Sequence, residues 1–192
     1  LRFLIVGEAP LLMHNGAMID PLNPFAKGVA AAAAKRRKTE ADHEHIARLE
    51  FLGGLYLRDG APCLPGEMME AALAKAAALK RRGASAKAGL LVRENAMLAY
   101  EGPRDPSDLW ADPSFRFRVP VRIGASRLMR TRPIFRTWAA EVTVEFLPGL
   151  LNARDVRDFL VMAGEQIGIG DYRPKFGRFR VEDLTPAIKA AA

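Results

Sequence analysis

Between Phe115 and Ile123 the chain alternates without a break. Phe115, Phe117, Val119, Val121 and Ile123 occupy the odd positions, and Arg116, Arg118 and Arg122 sit at even ones with Pro120 among them. Side chains two residues apart share a face only in an extended strand; at helical spacing both sets would scatter around the axis. The segment is therefore read as a strand with one apolar and one cationic face. Gly124-Ala125-Ser126 is a turn candidate, and Arg127 to Phe135 returns with Arg127, Arg130 and Arg132, followed by Arg136. The expected unit is a hairpin with its arginines on one face. Trp138, Ala140, Val142, Val144 and Phe146 then alternate as a further strand, which Pro148-Gly149 ends.

Helical spacing governs other stretches. After Pro65, the run GEMMEAALAKAAALKRR places Met69, Ala72, Leu73, Ala76 and Leu79 on one stripe. Pro65 suits a first helical position. Glu67 and Glu70 complement the positive end of the helix dipole, Lys80, Arg81 and Arg82 the negative end, and Gly83 is the expected stop. Thr39 to Glu50 reads as a helix with Thr39 as N-cap and acids in its first turn. LEFLGGLYLRDG follows as a passage into a short strand that turns at Asp59-Gly60. Asn152 is the N-cap of a last helix, with Asp155 three residues on and Val156, Phe159, Leu160, Ala163 and Ile167 as its buried stripe. A strand from Leu1 to Met13 opens the chain, a strand from Phe176 to Leu184 closes it, and the tail TPAIKAAA is peripheral. AKGVAAAAAKRRKTE reads either as a helix or as an exposed arm.

Two stretches, about residues 17–58 and 103–136, interrupt an otherwise simple order of strand, helix, strand, strand, helix, strand. The expected fold is α+β: a ferredoxin-like or RRM-like βαββαβ core in a single domain over residues 1–192, carrying an inserted basic segment and an inserted β-hairpin. Hydrophobic residues make up 49% of the chain, enough for a substantial core. The formal net charge of +7 makes nucleic acid the first partner to consider, with an anionic membrane surface second. Cys63 is the only cysteine, which excludes an internal disulfide and suits a reducing cytosol. No apolar run reaches the roughly 18–20 residues of a membrane span, and LRFLIVGEAP is too short and too soon polar for a signal peptide. The expectation is a cytoplasmic protein without a membrane partner.

Guanidinium groups offer forked donors and keep their charge, so Arg116, Arg118, Arg122, Arg127, Arg130, Arg132 and Arg136 are the leading candidates for phosphate contact. Lys35, Arg36, Arg37 and Lys38 form a second cluster that reads as a backbone clamp or as a solvated face. Lys80-Arg81-Arg82 is explained by helix capping. In the loop GIGDYRPKFGRF, Gly168 and Gly170 let backbone amides approach a phosphate or base. Tyr172 can stack there, and Arg173 and Lys175 can neutralise phosphate; the alternative is a tight helix-to-strand connection. His43 and His45 diverge on a helix, and no Cys-x-x-Cys or His-Glu-x-x-His pattern occurs, so no metal or cofactor is expected. Met68, Met69, Met97, Met129 and Met162 read as core filler. Trp110 anchors its loop, and Trp138 is a core residue.

Three stretches taken together resemble the RAMP superfamily of CRISPR-associated proteins. They are the first strand running into Ala9-Pro10-Leu11-Leu12 and His14-Asn15-Gly16, then Gly60-Ala61-Pro62-Cys63-Leu64-Pro65-Gly66 leading into a helix, and Gly168-Ile169-Gly170 with Phe176-Gly177-Arg178-Phe179. In that superfamily an apolar-Pro-Leu strand end begins the fold, a Pro-x-Ile-Pro-Gly-Ser-Ser segment opens the first helix, and a glycine-rich loop precedes the last strand. Leu64-Pro65-Gly66-Glu67-Met68 stands in the second place, without the serines. The position of the Phe115–Phe135 hairpin is similar to that of the thumb in backbone (Cas-seven-type) subunits. The resemblance implies a non-catalytic subunit, of CRISPR or diverged phage origin, that coats single-stranded guide RNA as a head-to-tail helical filament with other effector subunits. It also implies contact roles for His14 and Asn15. Three other readings stay open. One is a metal-independent endoribonuclease with His14 as base. The second is RNA cutting at Asp20, as in some target-cleaving relatives. The third is a single-stranded DNA-binding or phage scaffold protein on the same fold.

Overall fold

The computed structural model describes residues 1–124 and 126–185; Ala125 in the predicted hairpin turn and the tail from residue 186 lie outside the described residues. The chain is mixed α+β. In order it runs β1 (Arg2–Gly7), β2 (Leu11–Leu12), α1 (Pro24–Ala33), α2 (Glu40–Gly54), β3 (Leu57–Arg58), β4 (Ala61–Leu64), α3 (Gly66–Leu79), α4 (Gly83–Gly89), β5 (Leu90–Leu91) and β6 (Ala96–Met97). There follow α5 (Pro106–Ala111), β7 (Arg116–Ile123), β8 (Ser126–Phe135), β9 (Ala139–Thr143), β10 (Glu145–Phe146), α6 (Ala153–Met162) and β11 (Phe179–Asp183). Among the described residues no helix is long and apolar enough to cross a membrane.

These elements form two compact units. Among the described residues, one comprises 1–11, 63–100 and 137–185; the other lies within 12–62 and 101–136, and so includes both stretches read as insertions. In the first unit β1 is the centre of an antiparallel sheet ordered β11-β1-β9. Phe3 lies opposite Val142, and Ile5 lies opposite Ala140 on one side and Val181 on the other. Phe3 and Ile5 share one face of β1 and are fully buried, as period-two alternation requires. Helices α3 and α6 pack on each other and supply Met69, Leu73, Ala76, Val156, Phe159 and Leu160 to the same core. Gly7 has no room for a side chain, because a Cβ there would sit 2.2 Å from the Trp138 indole nitrogen. That nitrogen donates to the Ala9 carbonyl at 2.9 Å, so the buried tryptophan is polar-satisfied as well as packed.

Several boundaries differ from the sequence reading. Pro65 is the N-cap of α3 rather than its first helical residue. Leu79, the last residue of the helix before its cap Lys80, is 55% exposed, whereas Ala76 and Ala77 in the same turn are fully buried. Gly83 does not stop α3; it opens α4, and the left-handed turn between them is made by Arg81 at φ 57°. Helix α2 runs on through Leu49–Gly54, where the composition had read as a passage into a strand. Gly53 and Gly54 are buried there, since Met18, Phe25 and Pro133 press against their Cα atoms. The closing strand starts at Phe179 rather than Phe176, because Phe176–Arg178 still belong to the loop. Met97 and Met129 are exposed, not core filler, whereas Met69 is fully buried.

In the first unit α6 and β11 are tied by an ion pair between Arg157 and Asp183. The Arg157 hydrogen bond, with help from Thr185, lowers the Asp183 carboxyl from an ordinary 3.8 to about 2. A carboxyl depressed in the folded state adds stability above its unfolded pKa and loses it as pH falls through the folded one. Asp183→Asn should therefore flatten the fall in urea midpoint between about pH 4 and pH 2 while changing the midpoint at pH 7 in the destabilising direction. Parallel curves for the two proteins over that window would refute the assignment.

Candidate nucleic-acid interface

The hairpin predicted from alternation is present, and its register can be read pair by pair. Arg116 lies opposite Pro133, Phe117 opposite Arg132, Arg118 opposite Thr131, Val119 opposite Arg130, Val121 opposite Leu128 and Arg122 opposite Arg127. Directly opposed residues share a face of an antiparallel pair. The arginines are therefore divided, which corrects the one-face expectation. Arg116, Arg118, Arg122 and Arg127 share one side; Arg130 and Arg132 share the other with Phe117, Val119 and Val121. Parity carries this signal in the sequence itself. Once Arg122 meets Arg127, residues 130 and 132 fall opposite the apolar positions of β7.

The two faces differ in how their charge is spent. Glu50, on α2, is 5% exposed. One of its oxygens takes the Arg130 guanidinium, and the other accepts the Thr131 amide at 2.9 Å. Arg130 is thus neutralised by a buried carboxylate 80 residues away in sequence. On the opposite face Arg116 lies over the Trp110 ring at 4.7 Å, a cation–π contact that leaves its charge in place. Trp110 lies in helix α5 rather than in a loop, and it meets Phe51 of α2 edge-on at 5.5 Å. Arg122 donates to the Gly124 carbonyl at 3.0 Å. Arg118, Arg127 and Arg136 are exposed and form no ion pair among the described residues. Between Asp112 and Glu141 the sequence holds seven arginines and no carboxylate, so nothing local offsets this charge.

The stretch read as helix or exposed arm divides: its alanine-rich half lies in α1, and the basic residues Lys35, Arg36, Arg37 and Lys38 form an exposed link from α1 to α2. Half of its charge is committed. Lys35 pairs with Asp42 at 2.5 Å, and Lys38 donates to the Lys35 carbonyl at 2.9 Å. The Lys35 contact, followed by the Thr39 amide and hydroxyl, holds the Asp42 carboxyl well below the usual carboxylate range. Asp42 is also the N3 residue of the Thr39 capping box, so the cluster secures the start of α2. Arg36 and Arg37 remain solvent-facing.

Helices α1 and α2 and the hairpin enclose an open cleft of about 1000 Å³. Ala26, Val29, Ala30 and Ala47 give it an apolar floor, while Lys38, Arg118, Arg127 and Arg132 make its margin basic. His14 and His43 also line it. The backbone carbonyl of His14 accepts the Tyr56 hydroxyl at 2.9 Å. Asn15 is occupied structurally: its side chain donates to the Leu55 carbonyl at 2.9 Å and accepts from the Ala17 amide at 3.0 Å. Asp20 likewise forms a turn, accepting the Leu22 amide at 2.8 Å.

The glycine-rich loop belongs to the other unit and is built by itself. Gly168, Gly170 and Gly177 all have positive φ, as does Tyr172. The Gly168 amide donates to Ala163, Ile169 to Gly177 and Gly177 to the Pro10 carbonyl, at 2.7, 2.9 and 2.9 Å. Those glycine amides serve the connection rather than a ligand. What the loop presents is Tyr172, 55% exposed and edge-on to Phe176 at 6.2 Å, with Arg173 and Lys175 exposed beside it. No protein-family model matches the chain, and no curated protein sequence matches it.

Two outcomes follow. Glu50→Ala strips a buried amide and a guanidinium of their acceptor together, and should cost about 3 kcal/mol in urea unfolding; a loss under about 0.5 kcal/mol would show that the carboxylate does not hold the hairpin. Gly177→Ala puts a Cβ 1.8 Å from the Ile169 carbonyl oxygen at φ +71°. It should destabilise well beyond the roughly 1 kcal/mol of Gly124→Ala, which has the same sign of φ but open space around it. Equal losses would contradict the packing described for the loop.

Proposed function

We propose that this protein is a non-catalytic subunit of the RAMP backbone type, binding cytoplasmic single-stranded RNA and coating a guide RNA side by side with further copies and other effector subunits. One observation carries the reading. Arg122 and Arg127 face each other directly across the hairpin, with Arg118 on the same face, and no carboxylate lies in the surrounding 28 residues. Like charges placed directly opposite each other destabilise a strand pair. A polyanion laid along this face relieves that repulsion and meets forked donors at Arg118, Arg122 and Arg127. The β11-β1-β9 order, lengthened by a bridge between Ala139 and Ala99, supports a βαββαβ core with its first and third core strands side by side. Exposed Tyr172, Arg173 and Lys175 supply the stacking and neutralising groups that single-strand binders use.

The test is the salt dependence of affinity for an unstructured RNA oligonucleotide, read by fluorescence anisotropy. For single strands the log–log slope is about −0.7 per phosphate neutralised. Arg118→Ala, Arg122→Ala and Arg127→Ala together should make the slope shallower by about 2 and weaken binding at low salt. An unchanged slope would remove the hairpin from the interface. Preference for a DNA oligonucleotide would move the function to single-stranded DNA. RNA recovered cut, and recovered whole with His14→Ala, would make the protein an endoribonuclease.

A further inference from the structure

Helix α1 has two faces with different fates. Phe25 and Gly28 turn to α2: a Cβ at Gly53 would come 2.7 Å from Phe25, and one at Gly28 would come 2.9 Å from Leu49. Ala26, Val29, Ala30 and Ala33 recur at i, i+3, i+4 and i+7, share the next face and line the cleft. Ala30 and Ala33 are exposed, and Leu128 and Met129 of the hairpin look onto the same space at 45% and 46% exposure. Lys27 is the only charged residue of α1, so the helix has no strongly polar face to give to water. Its cleft side is a helix surface suited to a partner.

Charge and shape together define that partner. Glu50 is the one carboxylate among the described residues of the lining, and Arg130 and the Thr131 amide hold both of its oxygens. Lys38, Arg118 and Arg127 at the margin meet no second carboxylate there, so the cleft complements an acidic amphiphile. The lining has no Phe, Tyr or Trp, so a nucleobase would find no ring but the imidazoles of His14 and His43. The cleft is open, so an acyl chain would stay wet along one side, whereas small-molecule sites bury about 70–90% of their ligand. An amphipathic helix needs cover on one face only. Small side chains on the floor let a second helix approach closely. The stripe from Ala26 to Ala33 is about 10.5 Å long, and two turns of helix of that length, about 11 Å across, displace about 1000 Å³. The cleft holds about 1000 Å³.

We infer that the α1–α2–hairpin cleft is the docking groove for an acidic amphipathic helix of a different protein, with its aliphatic face on the Ala26–Ala33 stripe and its carboxylates toward Lys38, Arg118 and Arg127. The groove does not depend on the RNA-binding reading. One consequence does: Arg118 and Arg127 belong to both surfaces, so a docked helix and an RNA strand exclude each other there. The partner is then a negative regulator of RNA binding.

The probes are hydrocarbon-stapled peptides of about 14 residues, since unstapled helices of that length are marginal in water. One panel carries Leu, Ile, Val or Met at i, i+3, i+4 and i+7 with Glu elsewhere. A second scrambles the same residues over both faces, and a third replaces Glu by Lys. Isothermal titration calorimetry on the full chain should show the patterned acidic panel binding at least about tenfold more tightly than either control, about 1.4 kcal/mol. Ala30→Glu sets a carboxylate on the floor and should weaken the patterned peptides by at least about tenfold. Ala31→Glu, on the same helix, exposed and outside the lining, should leave them unchanged. Glutamate is nearly as good a helix former as alanine, and matching circular dichroism melts verify that both variants are folded. Equal binding of patterned and scrambled peptides, no binding by the acidic panel, or Ala30→Glu and Ala31→Glu behaving alike overturns the groove. Uptake of a fatty acid without peptide binding overturns it too, in favour of a small amphiphile. In competition, a patterned peptide should release a bound RNA oligonucleotide from the wild type and not from Ala30→Glu. RNA retained beside a docked peptide would refute the exclusion and leave the groove standing. Peptide binding without any RNA affinity would leave the groove standing and refute the RNA reading.

Discussion

One buried carboxylate organises the second unit. Glu50 sits on α2 with its side chain almost wholly removed from water, and both oxygens are taken by consecutive residues of β8. A lone buried carboxylate is strongly disfavoured, so Glu50 is stable only while Arg130 and the Thr131 amide reach it. The Thr131 bond goes to the backbone and so fixes strand and helix rather than one flexible side chain. Met13 donates to the Pro133 carbonyl two residues further on, and Pro133 packs against Gly54 on α2. The hairpin is thereby anchored at its base, while its turn end extends beyond these contacts.

That anchoring sorts the cations. A count of arginines treats all seven in the hairpin region alike, but Arg130 is discharged by Glu50 and Arg116 is seated on Trp110. Arg118, Arg122 and Arg127 gather exposed charge toward the turn, while Arg116 keeps its charge on the Trp110 ring and Arg136 lies exposed after β8. The same sorting applies to the basic link, where Lys35 and Lys38 secure the approach to α2 while Arg36 and Arg37 face solvent. Net charge alone would have overstated the binding surface on both elements.

What was legible in the sequence is what local chemistry decides. Thr39 and Asn152 both form full capping boxes, the stripes of α3 and α6 are buried in their central turns, and the alternation from Phe115 gives the hairpin. What was not legible depends on distant partners. Nothing near Arg130 announces Glu50, and nothing in LEFLGG says that Met18, Phe25 and Pro133 will close on its glycines and keep the helix going. In the glycine-rich loop the same holds: Gly177 is glycine because the Ile169 backbone crowds it, and its amide is taken by the distant Pro10 carbonyl. The division of the hairpin arginines was present in the residue numbers as parity, and needed only the register of the turn.

The uncompensated arginine face couples anion binding to the order of the hairpin. Opposed arginines at the turn end raise the energy of the empty protein, and an anion that binds only the folded state recovers that energy. Ligand binding and hairpin order are therefore linked in sign, whatever the affinity.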